Sequence, residues 1–93
     1  MEQMKQFVVN PVVSCADEGE EGSVLFNPDT DDVMVVNQTG QIVWHYIEVP
    51  RTEVEIVARL MSEFDGVETE QAGTDVHAFL EVLTPVFVEE CDG

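Results

Sequence analysis

Apolar residues change their spacing within residues 32–47. Residues 33–36 read Val-Met-Val-Val, a continuous apolar run that has the length of a strand and is too short for a buried helix. Asn37 interrupts the run, and its side chain, or that of Thr39, can accept a hydrogen bond from the first turn of a helix. The apolar residues that follow are spaced for one helical face: Ile42, Val43, Tyr46 and Ile47. The pattern predicts a strand that leads directly into a helix.

Two more strands are predicted before this stretch, at residues 11–16 and 23–27, with Pro at the first position of the earlier one. The segment between them, residues 17–22, reads Asp-Glu-Gly-Glu-Glu-Gly and is expected to be an exposed acidic loop. Pro-Asp-Thr-Asp at residues 28–31 reverses the chain. These features predict a three-stranded antiparallel meander whose last strand is residues 33–36.

A second helix is predicted after Pro50. Thr52 and Glu55 have the spacing of a capping box, and Gly66 is placed to end the helix. Its apolar residues recur at helical spacing: Val57, Leu60, Met61 and Phe64. This is the most regular helical pattern in the chain.

A third helix is predicted over residues 74–84, after a polar link at residues 67–73. Its apolar residues repeat the same spacing: Val76, Phe79, Leu80 and Leu83. Pro85 ends the helix, and the apolar segment at residues 86–88 is expected to pack back on the domain.

Three strands followed by three helices predict an α+β fold. The fold class is a three-stranded antiparallel sheet followed by a three-helix, winged helix-turn-helix-like bundle. A chain of 93 residues forms one domain, with a core expected over residues 11–88. Residues 1–10 and 89–93 are expected to be flexible tails, although Phe7-Val8-Val9 is equally compatible with a lead-in strand.

The charge of the chain excludes several partners. Twenty Asp and Glu residues against three Lys and Arg give a formal net charge of −17. Nucleic acids and anionic membranes are therefore not expected as partners, because both are bound largely through Lys and Arg. The same charge suits a cationic partner, or serves solubility alone, as in a host with a salty cytoplasm. No apolar run approaches the roughly 20 residues that span a bilayer, and a cytoplasmic protein is expected.

The sequence contains no arrangement typical of a catalytic or metal site. Cys15 and Cys91 lack zinc-ligand spacing and are expected to be free thiols. His45 and His77 have no helical partner of metal-binding type and are expected to be surface or half-buried residues. We therefore expect a protein without enzymatic activity, metal or cofactor.

The predicted strand at residues 33–36 is a candidate binding edge. The last strand of a meander can leave its backbone N–H and C=O groups unpaired, and a guest peptide can satisfy them as an added strand. The alternative is that the first strand or residues 7–9 cover this edge, and the residues alone leave both possibilities open. An open edge also permits strand exchange with a second copy, which would give a homodimer.

Four short segments, in this order and at this spacing, resemble the PqqD-like family, whose members are also described as RiPP recognition elements. The similarity covers residues 23–88. The segments are Val-Leu-Phe-Asn-Pro, Val-Met-Val-Val-Asn-Gln-Thr-Gly-Gln-Ile-Val-Trp, Arg-Thr-Glu-Val-Glu-Ile-Val-Ala-Arg-Leu and Thr-Asp-Val-His-Ala-Phe-Leu-Glu-Val-Leu.

The resemblance implies a non-catalytic adaptor that binds the leader segment of a ribosomally made precursor peptide. In such proteins the leader adds a strand to the third strand, in a cleft walled by the third helix. It is thereby presented to a modifying enzyme, often a radical SAM protein. In this sequence the strand that would pair with the leader consists of Val33, Met34, Val35 and Val36. The helical wall would be Asp75, Ala78, Phe79 and Val82, with the neighbouring Val76, Leu80 and Leu83 pointing into the core.

Two other functions are compatible with the sequence. The charge of −17 on a helix-turn-helix-like frame is compatible with an acidic mimic of nucleic acid that antagonises a basic DNA-binding protein, with Asp75 and Glu81 on its helix. The chain could also be an enzyme subunit whose active site is completed by a partner, in which case His45 or His77 would be required.

Overall fold

The computed structural model of the chain describes residues 5–66 and 68–92, which contain six strands and three α-helices. The strands are β1 Lys5–Val9, β2 Ser14–Asp17, β3 Ser23–Asn27, β4 Asp32–Val36, β5 Arg51–Thr52 and β6 Val88–Asp92. The helices are α1 Gln38–Tyr46, α2 Glu53–Glu63 and α3 Thr69–Leu83. A short 3-10 helix, Gly19–Glu21, lies between β2 and β3. The predicted α+β class is confirmed.

The strands form two antiparallel sheets. The predicted meander is present as β2-β3-β4, in which Leu25 faces Met34 on β4 and Cys15 on β2. A second sheet, β5-β1-β6, was not predicted from the sequence. It forms because residues 5–9 are a lead-in strand, which pairs with β5 on one side and with β6 on the other.

Three predicted boundaries differ from the structure. The first strand of the meander begins at Ser14, and Pro11 and Val12 form a turn instead. The expected acidic tail after residue 88 continues β6 as far as Asp92, paired along its length with β1. The third helix begins at Thr69, inside the predicted link, whose Val67 lies outside the described residues.

The longer third helix has a physical cause. Ala72 is buried one turn before Val76, so the apolar stripe of α3 starts earlier than the large side chains indicate. Gly73 follows Ala72, and a single glycine is tolerated inside a helix that packs well. The predicted core residues of α3, Val76, Leu80 and Leu83, are each at most 2% exposed.

One core joins the meander to the three helices and the second sheet. The buried apolar residues come from every layer: Phe7, Leu25, Val36, Val43, Trp44, Ile47, Ile56, Leu60, Val76, Leu80, Leu83, Phe87 and Val88. In α2 the stripe centres on Ile56 and Leu60, while the predicted Val57 and Met61 are half-buried at its margin. No helix in the described part of the chain has the length and apolar content of a membrane span.

Capping hydrogen bonds define the first turns of α1 and α2, at the positions that the sequence predicts. The side chain of Asn37, and not that of Thr39, caps α1, because Asn37 Oδ1 accepts a hydrogen bond from Gly40 N at 2.9 Å. At α2, Thr52 Oγ1 accepts from Glu55 N at 3.2 Å, and Glu55 Oε1 accepts from Thr52 N at 2.9 Å. The strand-to-helix joint at residues 36–38 is thereby held in one geometry.

Candidate functional site

A groove separates β4 from α3, and it has a volume of about 350 Å³. Its walls are the inner part of β4, the joint after it and the outward face of α3: Met34, Val35, Val36, Asn37, Asp75, Ala78, Phe79, Val82 and Leu83. These side chains are mostly apolar, so the groove suits apolar side chains of a ligand, with Asn37 and Asp75 as polar contacts.

The groove brings together seven of the eight residues that the resemblance assigned to a binding site. The exception is Val33, which does not line the groove and is 60% exposed. The side chain of Val36 is only 5% exposed and belongs chiefly to the core, so its backbone is the part nearest to a ligand.

On α3 the division between core and wall follows the helical period. The side chain of Phe79 is half-buried, whereas Ala78 is exposed and Val82 is 65% exposed. Phe79 and Val82 each lie one position before a buried leucine, Leu80 or Leu83, which turns them toward β4 and not into the core.

The outer edge of β4 is unpaired within the described residues. In that part of the chain β4 pairs with β3 alone, while β1 belongs to the other sheet and β2 occupies the opposite edge of the meander. Neither β2 nor residues 7–9 therefore covers β4. Unpaired N–H and C=O groups along this edge are a template for an additional strand.

The floor of the groove depends on a close approach between α1 and α3. A Cβ atom on Gly40 would lie 2.8 Å from Phe79 Cε1 and 2.9 Å from Val36 Cβ. Both distances are too short for non-bonded carbon atoms. A second cavity of about 210 Å³ adjoins this contact and shares Asn37, Asp75 and Phe79 with the groove. The absence of a side chain at Gly40 thus sets where the Phe79 ring lies.

The charged side chain that lines the groove is acidic. Asp75 lies on its helical wall and accepts a hydrogen bond from Gln71 Nε2 at 3.0 Å. Neither cavity has Lys or Arg among its described lining residues. A ligand with a basic residue near its apolar segment is therefore favoured electrostatically over an acidic one.

His77 links α3 to α2 away from the groove. Its Nδ1 atom lies 3.1 Å from Glu53 Oε1, and its Nε2 atom lies 3.1 Å from Glu81 Oε1. The hydrogen bond to Glu53, aided by the charges of Glu53 and Glu81, raises the pKa of His77 above its ordinary value of 6.5. Glu81 is thus paired within the chain, and no observation favours a row of free carboxylates imitating nucleic acid.

The stabilisation supplied by His77 is expected to depend on pH. Because the folded-state pKa is raised, the contribution is fully present below the unfolded-state pKa and is lost as the pH rises through the folded-state pKa. We expect urea unfolding of the wild type and His77→Gln to differ more at pH 5.5 than at pH 8.5. In an NMR titration, Glu53→Gln should lower the pKa of His77. Identical titration of His77 in both proteins would contradict the pairing.

Sequence reasoning missed a cluster of Cys15, Asp17 and His45. The His45 Nε2 atom lies 3.0 Å and 3.1 Å from the two carboxylate oxygens of Asp17, and Cys15 Sγ lies 3.4 Å from Asp17 Oδ1. The members come from β2 and α1, so no short spacing in the sequence could reveal them. Only the pairing of β2 with β3 beneath α1 places them together.

Hydrogen bonding sets the pKa values in this cluster. The Ser23 hydroxyl, followed by the His45 ring, holds the pKa of the Asp17 carboxyl well below its usual range. Hydrogen bonds to Asp17 and then to Glu48 raise the pKa of His45 above 6.5. Partial burial raises the pKa of the Cys15 thiol. These directions favour a charged His45 ring paired with the Asp17 carboxylate, beside a protonated thiol.

Comparisons with known proteins agree with the geometry. The family model described as Coenzyme PQQ synthesis protein D (PqqD) matches residues 22–84, which is more than half of the chain. Among curated proteins, none matches the chain.

Two solved structures share the fold. Lasso peptide synthetase B1 complexed with the leader peptide has a TM-score of 0.73 and 22% identity, covering 88% of this chain and 95% of that chain. TbiB1 in complex with the TbiA(beta) leader peptide has a TM-score of 0.74 and 22% identity, covering 86% of this chain and 93% of that chain. At this level of identity the likeness establishes the common architecture.

Proposed function

Because the chain belongs to the PqqD family, we propose that it is a non-catalytic adaptor for a ribosomally synthesised precursor peptide. It would capture the leader segment of that peptide by β-strand addition and present it to a modifying enzyme. The observation that carries this proposal is the outer edge of β4, which pairs with nothing in residues 5–66 and 68–92 and faces a groove walled by α3.

The mechanism uses both backbone and side chains of the site. The leader would lie beside β4 as a fourth strand of the meander, so that its N–H and C=O groups pair with those of β4. Successive side chains of a strand point to opposite faces. Alternate leader residues would therefore enter the groove toward Phe79 and Val82, and the others would lie on the opposite face, which carries the exposed Val33.

The chemistry of the groove limits the leader that fits. Two or three apolar side chains at alternate positions match the apolar wall around Ala78, Phe79 and Val82. A basic residue near them would be attracted by Asp75 and by the net charge of −17. An acidic leader segment would be repelled by the same charges.

The two solved structures support leader binding as the function. Each is a complex with a leader peptide and shares the fold of this chain over most of its length. For this chain, leader binding is inferred from the common fold together with its own open edge. The adaptor role implies a second partner, the modifying enzyme, which in related systems is often a radical SAM protein. A cytoplasmic location fits a partner made on the ribosome.

Strand exchange is the competing use of the same edge. A second copy of the chain could place its own β4 against this one, which would give a homodimer with the groove closed. Leader capture and self-association would then exclude each other, so a leader peptide should shift any dimer toward the monomer.

An NMR titration tests the proposal. The probe is a synthetic leader peptide from a precursor gene next to the gene for this chain, added to ¹⁵N-labelled protein. We expect amide shifts confined to β4, the joint at Asn37 and the α3 residues around Phe79, with little change on the outer face of α2. Shifts confined to other elements would contradict the proposed site. No shifts at millimolar peptide would contradict leader binding itself.

A further inference from the structure

We propose that Cys15, Asp17 and His45 form a Zn²⁺ site that fastens β2 to α1. One ligand atom from each residue, Cys15 Sγ, an Asp17 carboxylate oxygen and a ring nitrogen of His45, lies within 4.8 Å of the other two. The site occupies the edge of the meander opposite β4, so it is independent of the proposed leader groove.

The separations are close to those that a tetrahedral zinc ion imposes. Zinc bonds of about 2.1 Å to N or O and about 2.3 Å to S place neighbouring ligand atoms about 3.4–3.6 Å apart. The measured distances are 3.0 Å and 3.1 Å from His45 Nε2 to the Asp17 oxygens, and 3.4 Å from Cys15 Sγ to Asp17 Oδ1. The remaining separation, between Cys15 Sγ and the His45 ring nitrogen, is within 4.8 Å, so rotation of the three side chains would be needed to bring all the ligand atoms to tetrahedral spacing.

The residues around the cluster orient its ligands. Glu48 Oε2 lies 2.9 Å from His45 Nδ1, an arrangement in which a carboxylate holds the Nδ1 proton and leaves Nε2 facing the site. Carboxylate–histidine–zinc triads use this contact to fix the ring. Ser23 Oγ donates to Asp17 Oδ1 at 2.6 Å, which orients the carboxylate beside His45 Nε2. Gln41 Nε2 in turn donates to Ser23 Oγ at 2.9 Å.

The chemical types of the three ligand atoms determine which metal ion the site favours. A thiolate, an imidazole and a carboxylate together suit Zn²⁺, whereas Mg²⁺ and Ca²⁺ prefer oxygen ligands alone. Three protein ligands leave a fourth position for water. Coordination uses the thiolate and the neutral imidazole, so binding releases the proton of Cys15 Sγ and that of His45 Nε2.

An ion pair between Asp17 and His45 is the simpler account of the same geometry. It explains the two charged groups, and the two-residue period of β2 already places Cys15 on the same face as Asp17, so the thiol gains a role only in the metal site. Cys91 provides the contrast: it is also a half-buried cysteine in a strand, and it belongs to no such cluster among the described residues.

The test is metal binding to the reduced, chelator-treated full chain, with Zn²⁺ measured by calorimetry and Co²⁺ by absorption. We expect one ion per chain and a thiolate-to-cobalt charge-transfer band. Cys15→Ala should abolish the band and weaken Zn²⁺ binding more than about 100-fold, whereas the matched Cys91→Ala should leave both unchanged. Glu48→Gln should keep the band and weaken binding by about 10- to 100-fold, the usual effect of losing a partner of a metal-bound histidine.

The histidines supply a second matched pair. His45→Gln should weaken binding as Cys15→Ala does, and His77→Gln, which also loses a histidine between two carboxylates, should not. If Cys15→Ala fails to fold, Zn²⁺-dependent shifts of the His45 ring, with the His77 ring unmoved, test the site in the wild type. A cobalt complex without the thiolate band, or equal effects of the matched variants, would leave only the ion pair and overturn the proposal.

Discussion

Val82→Asn is expected to weaken leader binding by about tenfold or more, while leaving the fold intact. Val82 is 65% exposed in the free protein and lines the groove, so a leader lying beside β4 would bury it. Complete burial of a valine side chain contributes about 1.5–3 kcal/mol, and each 1.4 kcal/mol corresponds to about a tenfold change in affinity. The measurement is a fluorescence-anisotropy titration of the labelled synthetic leader peptide.

Val54 offers a matched control for this substitution. It is 64% exposed and also lies on a helix, α2, but it does not line the groove beside β4. Val54→Asn makes the same change of side chain at an equally exposed helical position away from the groove, so it should leave the affinity within about twofold. Urea unfolding of both variants checks that neither loses its fold. Equal affinities of Val82→Asn and Val54→Asn would remove α3 from the binding site.

The part of the site that sequence reasoning could predict is the part encoded by local patterns. The Val-Met-Val-Val run specifies β4, and the residue after it, Asn37, caps the next helix. The helical period of α3 separates Val76 and Leu80 in the core from Phe79 at the groove. Each of these elements needs only neighbouring residues, so the strand and the helix follow from local patterns, whereas their assignment to the two sides of a binding site came from the family resemblance.

The features that escaped prediction depend on contacts between distant segments. β6 is strongly acidic over Glu89 and Glu90, which resembles a solvated tail, and it becomes a strand because β1 supplies its partner. The Cys15 cluster requires β2 to lie beneath α1. Val33 was assigned to the site as part of the strand that would pair with a leader; its side chain is exposed and does not line the groove, and its backbone role stays a prediction.

Two glycines of the acidic loop illustrate the same limit. Gly19 and Gly22 look equivalent in the sequence, as small residues between acidic ones, and both have positive φ angles of 61° and 105°. In the structure a Cβ atom on Gly19 would meet nothing within 4 Å. A Cβ atom on Gly22 would overlap the carbonyl oxygen of Val36 and approach the backbone of Asn37 at 2.8 Å.

Gly22→Ala is therefore expected to destabilise the protein by about 4 kcal/mol or more. The φ of 105° with ψ of −144° is close to a region that only glycine adopts readily, and such strain costs about 1–3 kcal/mol. The overlap adds to this cost because its partner is backbone, which cannot rotate away as a side chain can. A small domain has about 5–15 kcal/mol of stability, so the substitution would remove a large share of it.

Gly19→Ala separates the overlap from the backbone strain. Its φ of 61° lies in the left-handed region, where an alanine costs about 1–2 kcal/mol, and no atom obstructs its Cβ. Chemical denaturation of the two variants should therefore give a loss for Gly22→Ala at least about twice that for Gly19→Ala. Equal losses would show that strain alone acts at both positions.

The location of Gly22 connects this stability effect to the groove. Its carbonyl oxygen accepts hydrogen bonds from Glu18 N at 2.7 Å and from Gln41 Nε2 at 2.9 Å, which ties the acidic loop to α1. Its α-carbon packs against the Val36–Asn37 backbone, where β4 ends and α1 begins. If Gly22→Ala retains its fold at low temperature, relief of the overlap must displace this joint. We expect its affinity for the leader peptide to fall while that of Gly19→Ala stays at the wild-type value.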